Sequence, residues 1–394
     1  MLVEIHMLQN HAPSNLNRDD TGSPKDCIFG GVRRARISSQ SLKRSIRRSG
    51  VFQAEIGSSG LASRTRRLPD QIKQLLLERG MEQQLADIAA QKASGFGNKE
   101  GKEATDLLTA QMMFLTPTDV EAVAAVLEHA AAEAGSAKAF REIKTADLQK
   151  RAELRGWRAI TPDVALFGRM ITSDAFRDIE ASIQVAHAIS THKMEHEFDY
   201  FTAVDDLKGL ADDEEDRGAG MIGDVEFTSA CYYKYFSLDF EGLVDNLAGP
   251  APDETTSAAG RERYAEARCS AEKTARDTAV AFLKAAVFTS PSGKQNTFAA
   301  HQLPDAVLIE VRPEKIPVSY ANAFAKSVRA RAQGDWMSES LAQFTEHVQT
   351  ITRKFSLRSD ARLWFTTGDA KIDGAQTCET MDDLTTELRS SLER

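Results

Sequence analysis

Two pairs of adjacent carboxylates are the residues of this chain best suited to metal-dependent chemistry. Asp19 and Asp20 lie in a polar, turn-rich segment just before a basic stretch, and Asp205 and Asp206 lie in a second loop. Paired carboxylates beside a basic groove can hold Mg²⁺ for phosphodiester cleavage. The alternative is that Asp19 and Asp20 accept hydrogen bonds from loop amides or pair with nearby arginines.

Other catalytic patterns are weak. His187 and His192 are five residues apart, so they would not share a helix face as a pair of metal ligands would. The sequence contains no GxSxG, P-loop or HExxH motif. The four cysteines lie far apart without a CxxC pair, which gives neither a zinc knuckle nor a disulfide framework. The sequence therefore indicates binding rather than catalysis, with no cofactor.

The strongest feature is a local excess of positive charge. The chain has a formal net charge of −9, but residues 28–54 contain no acidic residue and seven bases. The rest of the chain then holds 42 basic against 58 acidic residues. A basic stripe on an acidic body directs a polyanion to one groove. The seven bases are Arg33, Arg34, Arg36, Lys43, Arg44, Arg47 and Arg48.

This basic stretch has the pattern of a strand followed by a helix. Residues 32–37 alternate as in a strand, and Ser38 begins a segment typical of a helix start. In that helix Lys43 lies one turn before Arg47, and Arg44 lies one turn before Arg48. Such like-charge pairs destabilise a helix unless an anion neutralises them. Because a helix N-terminus also attracts anions, the pattern favours a phosphate ligand over a merely solvated basic helix.

Strands and helices are interleaved without regular βαβ units, so the predicted fold class is α+β. A strand is predicted at residues 2–9, and residues 68–160 have a helical pattern with a capping box at Thr118 and Glu121. The later predictions are a strand at 163–170, a helix at 182–194, a long hairpin around an acidic loop at 211–223, a disordered loop at 249–260, a helix to about 287, a strand at 306–312 and three C-terminal helical segments.

The composition is that of a soluble protein. With 394 residues and 42% hydrophobic residues, the chain can bury a substantial core without a disulfide or metal. No stretch approaches the ~18 uncharged apolar residues of a membrane helix, and the N-terminus lacks the layout of a signal peptide. We therefore expect a cytoplasmic protein without a membrane partner.

Aromatic residues cluster around the predicted hairpin. Bases of single-stranded RNA stack on such rings, with about 1–3 kcal/mol at stake per base. Since strands bury alternate residues, we expect one or two of these rings to be available and the others to be core. Met170, at the end of LFGRM, is expected in the core by its residue type. The rings are Phe198, Tyr200, Phe201, Phe227, Tyr232, Tyr233, Tyr235 and Phe236.

The segment SNLNRDDTGSPKDCIFGGVRRARISSQSLKRSIRRSG closely resembles the N-terminal signature of the CasC family. These proteins are the repeated backbone subunits of the type I-E CRISPR surveillance complex, Cascade. The resemblance spans about residues 1–330 and continues, in order, through LFGRM, AHAISTH, DYFTAVDDL, EFTSACYYKY, SGKQNTFAAH and YANAFAKSV.

The resemblance implies a hand-shaped protein with an RRM-like (ferredoxin-like) palm at 1–67 and 161–394. It also implies helical fingers inserted at 68–160 and a β-hairpin thumb at about 197–237. Copies would stack head-to-tail along one crRNA, and each thumb would push a base out of line so that the others pair with target DNA. Such a subunit grips the guide and does not cut it. The further partners would be the large, small, crRNA-processing and 5′-handle-binding Cascade subunits.

The resemblance also implies which side chains hold the guide. Met170 and Phe201 would flank the displaced base, and Lys294 of the SGKQ loop is a further candidate. The side chains that would hold guide phosphates and riboses are Arg18, Lys25, Ser38, Gln40, Lys43 and Arg47. Arg34 and Arg44 of the basic stretch are further RNA-binding candidates.

One departure and two alternatives accompany this interpretation. The acidic run at 212–216 is longer and more charged than the usual thumb tip, so RNA should repel it. The sequence therefore does not assign the contacts of the thumb tip or a role for Met221. One alternative is a metal-dependent ribonuclease that uses Asp19 or Asp20. The other is a free-standing protein that binds single-stranded RNA.

Overall fold

The computed structural model describes residues 1–57, 60–151, 154, 157–203, 221–253, 256–329 and 335–393. They form two compact units. Unit 1 comprises residues 1–52, 184–237 and 282–394, and unit 2 comprises residues 53–183 and 238–281. Unit 2 thus contains the predicted insertion at 68–160, its flanking residues and a second stretch from later in the chain. The carboxylates Asp205 and Asp206 and the acidic run at 212–216 lie outside the described residues.

Strands from distant parts of the chain build one large sheet with the order β12-β11-β10-β1-β9-β7-β3-β2, and β6 and β8 also pair with β9. Strands β4 and β5 form a separate antiparallel pair in unit 2. The strands are β1 (Leu2–Ser14), β2 (Asp26–Phe29), β3 (Val32–Ile37), β4 (Ser63–Thr65), β5 (Met113–Leu115), β6 (Ile183–Val185), β7 (Ala188–Ser190), β8 (Glu197–Ala203), β9 (Met221–Asp239), β10 (Ala306–Arg312), β11 (Ala361–Thr366) and β12 (Gln376–Thr377).

Helices are present in both units, and the predicted α+β class is confirmed. Within the described ranges, none of them has the length and apolar character needed to cross a bilayer. The helices are α1 (Ser39–Arg47), α2 (Gly50–Ile56), α3 (Leu68–Glu78), α4 (Gln83–Ser94), α5 (Pro117–Ala134), α6 (Ala137–Glu142), α7 (Thr145–Leu148), α8 (Pro162–Phe167), α9 (Phe240–Ala248), α10 (Ala258–Phe288), α11 (Gln295–Phe298), α12 (Trp336–Lys354) and α13 (Met381–Ser391).

Strand β10 lies inside the large sheet, and this position explains why the sequence predicts it well. All of its residues are buried, and it pairs with β1 on one side and β11 on the other. A strand of this kind is mostly apolar, as Ala306–Ile309 are, and its two buried charges, Glu310 and Arg312, pair with each other at 2.6 Å. Helix α12 covers one face of the sheet through Leu341, Phe344 and Val348, which share a core with Trp364 of β11. The helices of unit 2 have their own core, built around α3, α4 and α5.

The predicted strand at 163–170 is wrong, because this segment contains α8. Pro162 occupies the first turn of the helix, and Gly168 ends it with a φ of 72°. Proline at the start and glycine at the end are helix boundary signals that outweigh a short apolar run.

The predicted helix at 182–194 is also wrong, because this segment forms β6 and β7. Ile37 of β3 pairs with Ala188, and Ile189 pairs with Tyr233 of β9. Periodicity cannot distinguish a short apolar strand from a buried helix. The deciding partners lie far away in sequence.

Three smaller corrections follow from local chemistry. The capping box of α5 was predicted at Thr118 and Glu121 but is formed by Thr116 and Asp119, because Pro117 fixes the first helical position. The Thr118 hydroxyl donates to the carbonyl of Ala159. Helix α10 begins at Ala258, inside the loop predicted at 249–260. The C-terminal region contains β11 and β12 in addition to helices, and both strands were missed.

Strand β9 buries a lysine that affects stability. Lys234 is almost fully inaccessible, and its Nζ donates to Oε1 of Gln9 on β1. Gln9 is neutral, so it solvates the ammonium without compensating its charge. Burial lowers the pKa of Lys234 to about 8.

We expect Lys234→Met to raise the free energy of unfolding at pH 7 by up to about 3 kcal/mol. The folded pKa of about 8 lies below the unfolded value of about 10.4, so between these values the unfolded chain binds more protons. Wild-type stability should therefore rise with pH from about 8 to 10, relative to the variant. Urea unfolding of both proteins across pH 7–10 measures this difference, with the exposed Lys371→Met as control. Parallel pH profiles would contradict the assignment.

Candidate nucleic-acid interface

The basic strand is the second half of a tight hairpin, β2–β3. Phe29 pairs with Val32, and the two residues between them, Gly30 and Gly31, have φ values of 61° and 79°. Such two-residue turns need positive φ at both positions. A Cβ at Gly30 would lie 1.7 Å from the carbonyl oxygen of Ala325, so the turn also rests directly on that backbone. Glycine is therefore required at position 30.

Helix α1 follows this hairpin as predicted. The Ser38 hydroxyl accepts a hydrogen bond from the amide of Ser41 at 3.3 Å and caps the helix. Leu42 and Ile46 are buried, which leaves the basic side chains on the outer faces. Arg44 and Gln40 are exposed, whereas Lys43 and Arg47 are half-buried.

Helix α1 contains Lys43, Arg44 and Arg47 and no acidic residue. Burial lowers the pKa of the Lys43 ammonium. A bound anion would reverse this shift, since an opposite charge nearby favours the charged form. The like-charge pairs along α1 are relieved in the same way. This helix is thus suited to bind phosphates.

A loop holding further cations is fastened to the start of α1. The side-chain oxygen of Asn17 accepts from the amide of Ser38 at 2.8 Å, and the Asn17 carbonyl accepts from the amide of Lys25 at 2.8 Å. Asn15 donates to the carbonyls of Gly22 and Glu226, both at 2.9 Å. These bonds fix the segment that carries the exposed Arg18 beside the helix N-terminus.

Sequence reasoning missed the two asparagines. Their signal was present, since Asn side chains commonly hydrogen-bond the backbone in turn-rich segments such as SNLN. Lys294 is half-buried, has a φ of 49° and precedes α11. The residue before it, Gly293, lines a cleft of about 460 Å³ together with the 16–22 segment. The predicted cations Arg18, Lys25 and Lys294 therefore belong to segments that meet in unit 1.

Arg34 is a correction, because it is fully buried and does not face a groove. Its guanidinium donates to four backbone carbonyls, those of Thr191 at 2.6 Å, Phe324 at 2.7 Å, Phe29 at 3.2 Å and Ser190 at 3.3 Å. With its donors directed at the protein's own backbone, Arg34 holds the basic hairpin in place and is not exposed to a phosphate.

Of the two candidate metal ligands in the first loop, Asp19 accepts local hydrogen bonds, and Asp20 is exposed. Oδ1 of Asp19 accepts from the amide and hydroxyl of Thr21 and from the amide of Ser23. The hydrogen bond from the Thr21 side chain is the main reason that the pKa of Asp19 lies below its usual value. Among the described residues, no three His, Cys, Asp or Glu side chains are arranged to hold a metal ion. The geometry of Asp19 is that of a loop-stabilising residue.

The two histidines weighed as ligands lie in a sheet region and have other contacts. His187 Nδ1 lies 3.0 Å from a guanidinium nitrogen of Arg36. His192 is buried, and its ring stacks on Trp336 with centroids 4.2 Å apart. Burial lowers the pKa of His192. Its Nε2 accepts from the amide of Cys231 at 3.2 Å, so this histidine is a core residue.

The hairpin predicted for the thumb is formed by β8 and β9. Phe201 pairs with Gly223, and a Cβ at Gly223 would lie 2.6 Å from the Phe201 ring, so the ring lies over the glycine. Phe201 is nevertheless 40% exposed. Phe198 and Tyr200 are also exposed, so three rings of the cluster are exposed where one or two were expected. The buried rings are Tyr232, Tyr233, Tyr235 and Phe236.

Met170 differs from the expectation for its residue type. It belongs to unit 2 and is 83% exposed. A methionine this exposed is available for contact with a ligand or another chain.

The chain matches, over residues 3–389, the model of a family described as CT1975-like protein. It is similar to a chain of a "CRISPR RNA-guided surveillance complex, pre-nicking", with 27% identity, a TM-score of 0.78 and 100% of both chains covered. A chain of a "CRISPR RNA-guided surveillance complex" shares the fold, with 22% identity, a TM-score of 0.67, and 98% of this chain and 100% of that chain covered. No curated protein matches. These matches confirm the resemblance predicted from the sequence, and the chain therefore belongs to the CT1975-like protein family.

Proposed function

We propose that this chain is a crRNA-binding backbone subunit of a type I-E Cascade complex. The observation that carries the proposal is the acid-free β3–α1 element, whose cations lie on the outer faces of α1. The whole-length similarity to a chain of a CRISPR RNA-guided surveillance complex supports the same function.

The chemistry of this interface suits binding that is independent of sequence. Lysine, arginine and the capped start of a helix recognise phosphates, which all nucleotides share. Base pairing between guide and target then supplies the sequence specificity. The acidic remainder of the chain disfavours binding of nucleic acid elsewhere on the surface.

We assign the parts of the hand by the same proposal. Unit 1 is the RRM-like palm, the helices of unit 2 include the fingers, and β8–β9 is the thumb. Copies stack head-to-tail along the guide, since heterologous contacts that do not close build a helical filament. The large, small, crRNA-processing and 5′-handle-binding subunits complete the complex, and target DNA is reached through the guide.

The subunit holds RNA and does not cleave it. The engagement of Asp19 by Thr21 and Ser23 supports this part of the proposal. A ribonuclease would need carboxylates directed at a metal ion and a scissile phosphate.

The test uses purified protein, end-labelled single-stranded RNA and Mg²⁺, with each sample run on a native and a denaturing gel. We expect RNA that migrates slowly on the native gel and stays full-length on the denaturing gel. Cleavage at regular spacing that Asp19→Ala or Asp20→Ala abolishes would overturn the proposal. Unretarded RNA would also do so.

Replacing Phe201 with alanine should leave assembly with guide RNA largely intact and change the path of the guide. The ring lies over Gly223 and is 40% exposed, which supports the proposed contact with a base. Nuclease or chemical probing of guide RNA in the assembled complex should lose the regular pattern of exposed bases. Phe198→Ala, which alters an exposed ring on the opposite face of β8, is the matched control. An unchanged probing pattern in the Phe201 variant would remove this role.

A further inference from the structure

A glycine in the SGKQ loop lies closer to another segment than any other residue type would allow. An ideal Cβ on Gly293 would lie 2.4 Å from the carbonyl oxygen of Leu16 and 2.6 Å from that of Asn15. Both obstacles are backbone atoms, and the hydrogen bonds of Asn15 and Asn17 hold the loop to which they belong. The neighbouring segment therefore cannot yield easily.

Hydrogen bonds within the loop that contains Gly293, and a ring contact with β9, hold this loop together. The side-chain nitrogen of Gln295 donates to the carbonyls of Pro291 at 3.2 Å and Ala300 at 3.1 Å. Phe298 packs against Phe227 of β9, with ring centroids 5.5 Å apart. A displacement at Gly293 would therefore be transmitted to its neighbours in the loop.

The residue directly after this contact is in a strained conformation. Lys294 has φ 49° and ψ 24°, a left-handed conformation that is unfavourable for a non-glycine residue. Glycine or asparagine would adopt it at lower cost. Strain of this kind points to a role for the side chain that is retained.

We propose that Gly293 is a positioning residue of the RNA interface: its lack of a side chain lets the SGKQ loop rest on the Asn15 and Leu16 carbonyls and so holds Lys294 beside the Arg18 loop. This inference rests on the proposed function and extends it to a residue that makes no side-chain contact itself. Arg18 and Gly293 both line the 460 Å³ cleft, together with Asp19 and Asp20, so Lys294 directly follows a residue of the wall that faces Arg18.

Alanine at position 293 would push the loop outward by about 1 Å, since ordinary Cβ contacts begin near 3.4 Å. The fold should survive, because the fastened loop can shift at the surface. A shift of this size increases the distance from Lys294 to a phosphate, which weakens their attraction. We expect Gly293→Ala to weaken single-stranded RNA binding about three- to tenfold.

The measurement is the salt dependence of RNA affinity for the full chain, together with the melting temperature of each variant. For single strands, one lost phosphate contact lowers the slope of log affinity against log salt by about 0.7. Gly293→Ala and Lys294→Ala should each show this loss. The double variant should be no weaker than the weaker single one, since both remove the same contact. Gly368→Ala is the control, because its Cβ would be 3.7 Å from the nearest atom.

A second comparison separates strain from charge. Lys294→Gly and Ala299→Gly both relieve a left-handed residue of this loop, since Ala299 has a φ of 47°. Both should keep or raise the melting temperature, but only the Lys294 variant should lose RNA affinity. Equal losses of affinity in both would overturn the role given to the Lys294 side chain.

The outcomes separate this inference from the proposed function. If wild-type protein binds no RNA, the proposed function fails. If it binds, and Lys294→Ala weakens binding while Gly293→Ala keeps wild-type affinity and salt slope, only the role of Gly293 is overturned. A Gly293→Ala protein that does not fold would overturn it too, since the glycine would then serve the fold itself.

Discussion

Replacing Lys43 and Arg47 together with alanine is expected to weaken single-stranded RNA binding by about ten- to a hundredfold near physiological salt. The two residues lie one helical turn apart on α1, in a helix without acidic residues. Each lost phosphate contact should lower the salt slope by about 0.7, so the double variant should lose about 1.4. The loss should be the same for RNAs of different sequence, because phosphates carry no sequence information.

The stability of this variant distinguishes a binding role from a structural one. Removing a like-charge pair at i and i+4 relieves repulsion, so the melting temperature should stay the same or rise slightly. Lys354→Ala with Lys371→Ala is the matched control, since it removes two positive charges at exposed positions of unit 1. Equal losses of affinity in the test and control variants would mean that net charge, and not this helix, attracts the RNA.

Local chemistry made much of this interface predictable. The β3–α1 unit follows from strand alternation, a serine cap and two buried aliphatic residues at i and i+4, all within about fifteen residues. The central strand β10 was similarly evident, because a strand buried on both faces is mostly apolar and begins here with the apolar run Ala306–Ile309. These features depend on neighbours in sequence, and sequence patterns report such neighbours well.

Some errors, such as those at α8 and at the capping box of α5, concern local signals, and others lie where distant partners decide. Segment 182–194 becomes two strands only because β3 and β9 pair with it. Arg34, predicted to bind RNA, lies on the side of β3 away from Ala35 and Ile37. That side is covered by the backbone near Phe324, 290 residues away. The requirement for glycine at position 293 is likewise set by the carbonyls of a loop near the opposite end of the chain.

Arg34 therefore yields a prediction of the opposite kind, in which stability falls and RNA contacts are retained. Arg34→Ala should lower the free energy of unfolding of unit 1 by about 3–5 kcal/mol, because buried carbonyls lose their donors and a cavity remains. Burial lowers the pKa of Arg34, but a guanidinium keeps its charge in proteins. Arg34→Lys should recover only part of the stability, since one ammonium cannot replace a fork of donors that reaches four carbonyls.

The neighbouring arginine provides the control. Arg33 is half-exposed and pairs with Asp26, so Arg33→Ala should change stability by at most about 1 kcal/mol. Thermal and urea unfolding measure the stabilities, and RNA titrations at a temperature where all variants are folded measure the salt slopes. An Arg34→Ala protein as stable as Arg33→Ala, but with a reduced salt slope, would place Arg34 on the RNA. A large loss of stability with an unchanged salt slope would establish that Arg34 holds the basic hairpin against the rest of unit 1. Arg34 would then keep the cations of α1 in position, although those cations do not contribute to the core.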